Sequence, residues 1–180
     1  ILQPVSVVSD PRLHEEWYEE WLSENNNFEG SYYWKRLEDF LSTELSHKYG
    51  ADEAGRVVRS IDEATYNIMY NLASPRRNEY SYKGLVVGYV QSGKTANFTA
   101  LIAKAADAGY KLIIVLAGIH NILRRQTQIR LNREITGYQD VSGPDRYISM
   151  PGNAKLWKRL TNAHNDFSIL NNHIFENHCQ

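Results

Sequence analysis

One eight-residue stretch constrains this chain more than any other. Gly88-Tyr89-Val90-Gln91-Ser92-Gly93-Lys94-Thr95 satisfies the pattern G-x-x-x-x-G-K-[ST] without a mismatch. An apolar run of strand length, Gly84 to Val90, leads into it, and an alanine-rich helical pattern over 94–108 follows. A loop of this kind converges successive backbone N–H groups on an anion. Gly93 permits the close approach, and the next helix adds unpaired N–H groups and a partial positive charge. Lys94 is placed to reach the β- and γ-phosphates of a nucleoside triphosphate, and the Thr95 hydroxyl to ligate a bridging Mg²⁺. Gly88, Tyr89, Val90, Gln91, Ser92, Gly93, Lys94 and Thr95 are therefore the expected cofactor-binding residues. Lys94 and Thr95 carry the expected catalytic roles, and the expected ligands are a mononucleoside triphosphate, taken as ATP in the readings below, and Mg²⁺. Gln91 and Ser92 stand where G-x-G-x-x-G would need glycine, which argues against a dinucleotide site. The lysine follows the last glycine directly, so this is not the kinase glycine loop either.

The hydrophobic pattern implies a fold around that loop. Gly84 to Val90 and Lys111 to Ala117 are continuous apolar runs, as expected of strands buried on both faces of a parallel sheet. Gly109 ends the intervening helix, and a further helix is expected over about 121–134. A β-α-β-α order of this kind implies a right-handed crossover and an α/β layered fold. Tyr147 to Met150 reads as a short strand and Pro151 to Asn162 as a helix.

The first 80 residues read as helical. Leu13, Trp17 and Trp21 recur at i+4 after a helix start at Pro11, and Asn25-Asn26-Asn27 breaks the pattern. A second helix from Ser31 lines up Trp34, Leu37, Leu41 and Leu45 and ends at Gly50. A third pattern joins Val57, Ile61, Ala64, Ile68 and Leu72. Ser60 and Glu63 resemble a capping box, so a joint near residue 60 is expected. The division is thus a helical region, 1–80, and a nucleotide-binding domain, 81–180.

Charge sharpens that division. The 180 residues carry a net charge of -1, but residues 1–80 hold 8 basic and 15 acidic residues, and residues 83–133 hold 8 basic and 1 acidic. Such a balance excludes a polybasic, histone-like protein. With a single cysteine, Cys179, a disulfide framework is excluded. His173, His178 and Cys179 lack a fourth ligand for zinc. No run approaches the roughly 18 apolar residues of a membrane span, no signal peptide opens the chain, and a cytoplasmic location is expected. A start at Ile1 rather than Met, and a polar stop, suggest that both ends belong to something longer.

The positive block continues into Ala117-Gly118-Ile119-His120-Asn121-Ile122-Leu123-Arg124-Arg125-Gln126-Thr127-Gln128. In an open α/β sheet, the loop after a strand's C-terminus lies on the binding face. His120, Asn121, Arg124, Arg125 and Gln128 then offer donors to a nucleic-acid backbone. The same residues also suit a solvated amphipathic helix, and the spacing leaves both open. Arg76 and Arg77 are weaker candidates for nucleotide contacts. Trp17, Trp21 and Trp34 lie on apolar stripes that suit packing better than base stacking. An apolar strand ending in Asp, usual where Mg²⁺ and water must be positioned for hydrolysis, is missing: Asp140, Asp145 and Asp166 follow no such run, and Asp107 sits at a helix end.

Residues 84–97, 101–110 and 113–121 together resemble the Z1-domain family, large bacterial proteins similar to superfamily 2 helicase-like ATPases of restriction and phage-defence systems. The similarity is strongest over residues 83–135. Trp34 to Leu37 and Ile61 to Thr65 are compatible with the family's region before the phosphate loop. The resemblance implies a partial RecA-like lobe, with Gly88 to Thr95 as helicase motif I and Ala117 to Gln128 as motif Ia, which touches nucleic acid. DNA is the implied partner, with a GHKL-type (MORC-like) ATPase or another defence subunit beside it. The family's acidic motif II and second lobe have no match here, so hydrolysis would need an acidic residue outside this chain. Two other classes remain on the residues alone. One is a nucleotide-dependent switch or assembly module that uses the acidic, tryptophan-bearing helices as its partner surface. The other is a small-molecule kinase, which the lack of a lid segment disfavours.

Overall fold

Gly50 is the single residue on which the N-terminal helices fold back. Helix α2 (Tyr32–Tyr49) ends and helix α3 (Ala51–Tyr70) begins on either side of it, with Gly50 at φ 86°. Its N–H donates to the Ser46 carbonyl and its carbonyl accepts from Ala54 N–H, both at 3.0 Å. A side chain at that left-handed φ would be strained, which is why glycine serves here. The structure is a computed structural model and describes residues 16–26, 30–79, 82–86, 94–118, 120–136, 138–139, 146–147 and 160–161. The chain divides into two compact units, Ile1–Tyr110 and Lys111–Gln180.

The first unit is built from helices. Trp34, Leu37 and Leu41 recur at helical spacing on α2 and meet Val58 and Ile61 of α3. Helix α4 (Lys94–Asp107) completes the cluster with Ala100 and Ala103, both fully buried. Alanine on α4 lets its backbone approach the bulky side chains of α2 and α3. Each buried Leu, Ile or Val contributes about 1.5–3 kcal/mol relative to exposure. Helix α1 (Trp17–Asn25) buries Tyr18, whose ring stacks on Trp21 at 5.7 Å, while Trp17 Nε1 donates to the Leu72 carbonyl at 2.7 Å. Tyr110 hydroxyl donates to the Ala73 carbonyl and ties the end of the unit to the turn after α3.

Two expectations about these helices change. The joint near residue 60 is absent: α3 runs unbroken, because Ala54, Val58, Ile61, Thr65 and Ile68 form one buried face that outweighs a local capping signal. The tryptophans of α1 are only half-buried, and Tyr18 occupies the core position between them. The expected start of α1 at Pro11 and Leu13 lies outside the described residues.

The expected α/β fold with a parallel sheet is overturned. Residues 84–86 and 111–117, the described parts of the two apolar runs, form no strand. Leu85 is 80 % and Leu116 92 % exposed. An apolar run demands burial but does not supply a ladder partner, and a strand needs one for its backbone N–H and C=O groups. The only strands among the described residues are β1 (Tyr138–Gln139) and β2 (Arg146–Tyr147), an antiparallel pair with Tyr138 opposite Tyr147. They belong to the second unit, with helix α5 (Asn121–Leu131), which runs on into a π-helical turn, Asn132–Thr136. Of the helix expected over 151–162 only Leu160 and Thr161 are described, and neither is helical. Ile148 to Met150 of the expected short strand lie outside the described residues.

Tyrosines give the first unit a pH dependence. Burial, with the nearby Asp107 charge adding to it, pushes Tyr33 from its ordinary 10.0 up to about 12. Burial also raises Tyr18, beside Asp62 and Asp107. A raised tyrosine pKa stabilises the fold fully below pH 10, and that contribution disappears as pH climbs through the folded value. Lys104, which burial lowers from 10.5, acts with the opposite sign below that pH. Denaturant melts should therefore show stability falling between about pH 10.5 and 12, and Tyr33→Phe should flatten part of the fall. A Tyr33→Phe profile as steep as that of the native chain would contradict the assignment.

Candidate functional site

The glycine-lysine-threonine pattern and helix α4 meet at one point. Lys94 and Thr95 are the first two residues of α4, and no acidic residue stands in its first turn. An approaching polyphosphate would meet no like charge there, and the helix terminus itself favours anions. Gly88 to Gly93, the rest of the loop, lie outside the described residues, as do the side chains of Lys94 and Thr95. Among the described residues no group of three or more His, Cys, Asp or Glu side chains gathers. Mg²⁺ fits this setting if held by the Thr95 hydroxyl and the phosphates themselves, since Mg²⁺ usually keeps waters and few protein ligands.

The other end of α4 is held by charge. Asp107, its last residue, accepts from Tyr33 N–H at 2.9 Å (Oδ1) and from Trp34 N–H at 2.8 Å (Oδ2). These are the second and third residues of α2, where an N-cap side chain normally bonds. Ser31 precedes α2 but makes no cap; its hydroxyl donates to the Asn25 carbonyl at 2.8 Å. Helix α2 has no acidic residue in its own first turn, so Asp107 serves as its cap from more than seventy residues away. One turn earlier, the Lys104 side chain is 5 % exposed. It pairs with Asp62 Oδ1 at 2.7 Å, donates to the Asp62 carbonyl at 2.8 Å and lies 4.7 Å from the centre of the Trp34 ring. Burial lowers its pKa, and the Asp62 charge opposes that shift.

Sequence reasoning missed both roles. A usable signal was present, because Asp107 is the one acidic residue between 83 and 133. A carboxylate that closes an otherwise basic helix is unfavourable for that helix's own dipole, so a partner elsewhere is the natural reason for it.

The expected nucleic-acid residues cluster on α5. His120 precedes the helix in extended conformation and is exposed, as are Asn121 and Arg125, while Arg124 is half-buried. Gln128 is different: its Nε2 donates to Asn132 Oδ1 at 2.9 Å and its Oε1 accepts from Thr161 at 2.7 Å. With Asn132 fully buried, Gln128 holds the second unit together. The positive block is also partly neutralised, since Arg130 and Arg133 approach Glu134 at 2.8 and 3.5 Å. Ile122 and Leu123 are exposed.

Arg76 and Arg77 are exposed in a turn closed by Arg77 N–H on the Ser74 carbonyl at 3.1 Å. Trp34 is buried in the helical core, as its apolar stripe implied. Asp140, Asp145, Asp166, His173, His178 and Cys179 lie outside the described residues. Among the described residues no helix is long and apolar enough to cross a membrane. In comparisons with known proteins, no family model, curated protein or solved structure matches the chain.

Proposed function

We propose that this chain is the ATP-binding portion of a nucleic-acid-dependent, helicase-like ATPase that works in the cytoplasm, in a bacterial defence or restriction system. The observation that carries it is the coincidence of Gly88 to Thr95 with the start of α4 at Lys94. A phosphate loop must feed directly into a helix N-terminus, and the start of α4 at Lys94 supports that reading. Lys94 contacts the β- and γ-phosphates, and Thr95 holds Mg²⁺ against them. When bound, Mg²⁺ would supply charge neutralisation to the phosphates. The acid that positions water comes from elsewhere, so this chain binds ATP without turning it over unaided. A GHKL-type ATPase or another defence subunit is the protein partner the resemblance implies.

Titration with nucleotides tests the phosphate reading. In the presence of Mg²⁺, affinity should fall from ATP to ADP to AMP, because the terminal phosphates make the contacts. AMP that binds as tightly as ATP would remove the basis for the proposal.

The nucleic-acid side of the proposal rests on His120, Asn121, Arg124 and Arg125. Paired Arg124→Ala and Arg125→Ala should weaken DNA binding at low salt about tenfold or more and lower the salt slope by roughly two. Native and variant curves that coincide across the titration favour a nucleotide-dependent switch or assembly module instead. One observation already favours that second reading: α4 is anchored on the acidic N-terminal helices through Asp62 and Asp107 contacts.

A further inference from the structure

Helix α4 has two differently used ends. Its 14 residues make a rod about 21 Å long. Lys94 and Thr95 stand at one end, and Lys104 and Asp107 at the other. Between them Thr99, Ala100 and Ala103 are fully buried, the two alanines against Trp34, Leu37, Leu41, Val58 and Ile61. The rod is thus gripped along its length by α2 and α3, and its far end is fixed by directional, charge-assisted bonds. Apolar packing is less directional than a charge-assisted bond, above all where the packed residues of the helix are alanines. Two carboxylate bonds from Asp107 into the first turn of α2, and the buried Lys104–Asp62 pair, each specify one register and one rotation.

We propose that Asp107 and Lys104 are positioning residues that couple nucleotide binding at the start of α4 to the ordering of α2 and α3. The coupling rests on the proposed phosphate site. A phosphate loop works only if its N–H groups converge on the anion, and that depends on where the helix it feeds is placed. Nucleotide that selects one position of α4 must therefore favour the capped state of α2, and capping must favour nucleotide by the same factor. The N-terminal helices, with the Asp62 and Tyr33–Trp34 contacts, become the element that senses whether the loop is loaded.

Two measurements on the full chain test the coupling: Mg-ATP affinity, and hydrogen exchange at the Tyr33 and Trp34 amides with and without Mg-ATP. Asp107→Ala should weaken Mg-ATP roughly 5- to 20-fold, and Asp107→Asn, whose single amide oxygen can accept from only one of the two N–H groups, should recover part of it. In the native chain Mg-ATP should slow exchange at Tyr33 and Trp34 more than at amides of α1, and this difference should vanish in Asp107→Ala. If Asp107→Ala does not fold, Asp62→Ala carries the test, since Asp62 is half-exposed and its loss should also weaken Mg-ATP. Native-like affinity in the folded variants, with nucleotide-independent exchange at Tyr33 and Trp34, overturns the coupling and leaves the phosphate site standing. A native chain that binds no Mg-ATP overturns the site and the coupling with it.

Discussion

Replacing Lys94 by Ala should lower Mg-ATP affinity by roughly 30- to 150-fold while leaving the helical fold in place. The magnitude follows from one lost charge-assisted contact to phosphate, worth about 2–3 kcal/mol. Lys94 is the first residue of α4 and comes well before Thr99, Ala100 and Ala103, which hold that helix in the core. The buried residues described on α4 begin at Thr99, so the melting transition should stay where it is. Calorimetry gives the affinity and circular dichroism the fold. A variant that binds Mg-ATP like the native chain shows that the ligand, if bound, sits elsewhere.

Leu37→Ala should destabilise the first unit by about 3 kcal/mol. Leu37 is fully buried at the centre of the cluster formed by α2, α3 and α4. Its neighbours on α4 are Ala100 and Ala103, too small to fill the space, so a cavity adds to the lost transfer free energy. Against a total stability of about 5–15 kcal/mol, that is a large fraction. The companion substitution is Leu116→Ser. With Leu116 almost fully exposed, its cost should stay within about 0.5 kcal/mol. Urea denaturation followed by tryptophan emission reads the Leu37 cost, since Trp34 is part of the same cluster, and circular dichroism over the same titration reads Leu116, which belongs to the second unit. A cost of several kcal/mol at Leu116 with little at Leu37 would invert the assignment of the core and favour a buried strand over residues 111–117.

The helices were legible because their signals are local. The i, i+3, i+7 spacing of Trp34, Leu37 and Leu41, and Gly50 at a helix end, specify α2 and its stop without reference to anything distant. The start of α4 at Lys94 was legible for the same reason. The sheet was not, because Gly84 to Val90 and Lys111 to Ala117 announce only that they are apolar. Whether such a run becomes a strand depends on a neighbour, and none is present at residues 82–86 or 110–118. The Asp107 cap and the Lys104–Asp62 pair join residues 73 and 42 positions apart, beyond any periodicity. The basic block misled in part, because formal charge does not show that Lys104, Arg130 and Arg133 have acidic partners. Gln128 looked like a donor to nucleic acid on spacing alone, and its amide is bonded at both ends within the second unit.

The most direct test of the phosphate site is a residue-by-residue amide spectrum of the labelled chain during titration with Mg-ATP. The largest shifts should fall on Gly88 to Thr95, greatest at Gly93, Lys94 and Thr95, with smaller changes at Tyr33 and Trp34. Saturating Mg-ATP that leaves the Gly88 to Thr95 amides unmoved, or moves only amides elsewhere, would contradict the claim that this segment holds the nucleotide's phosphates.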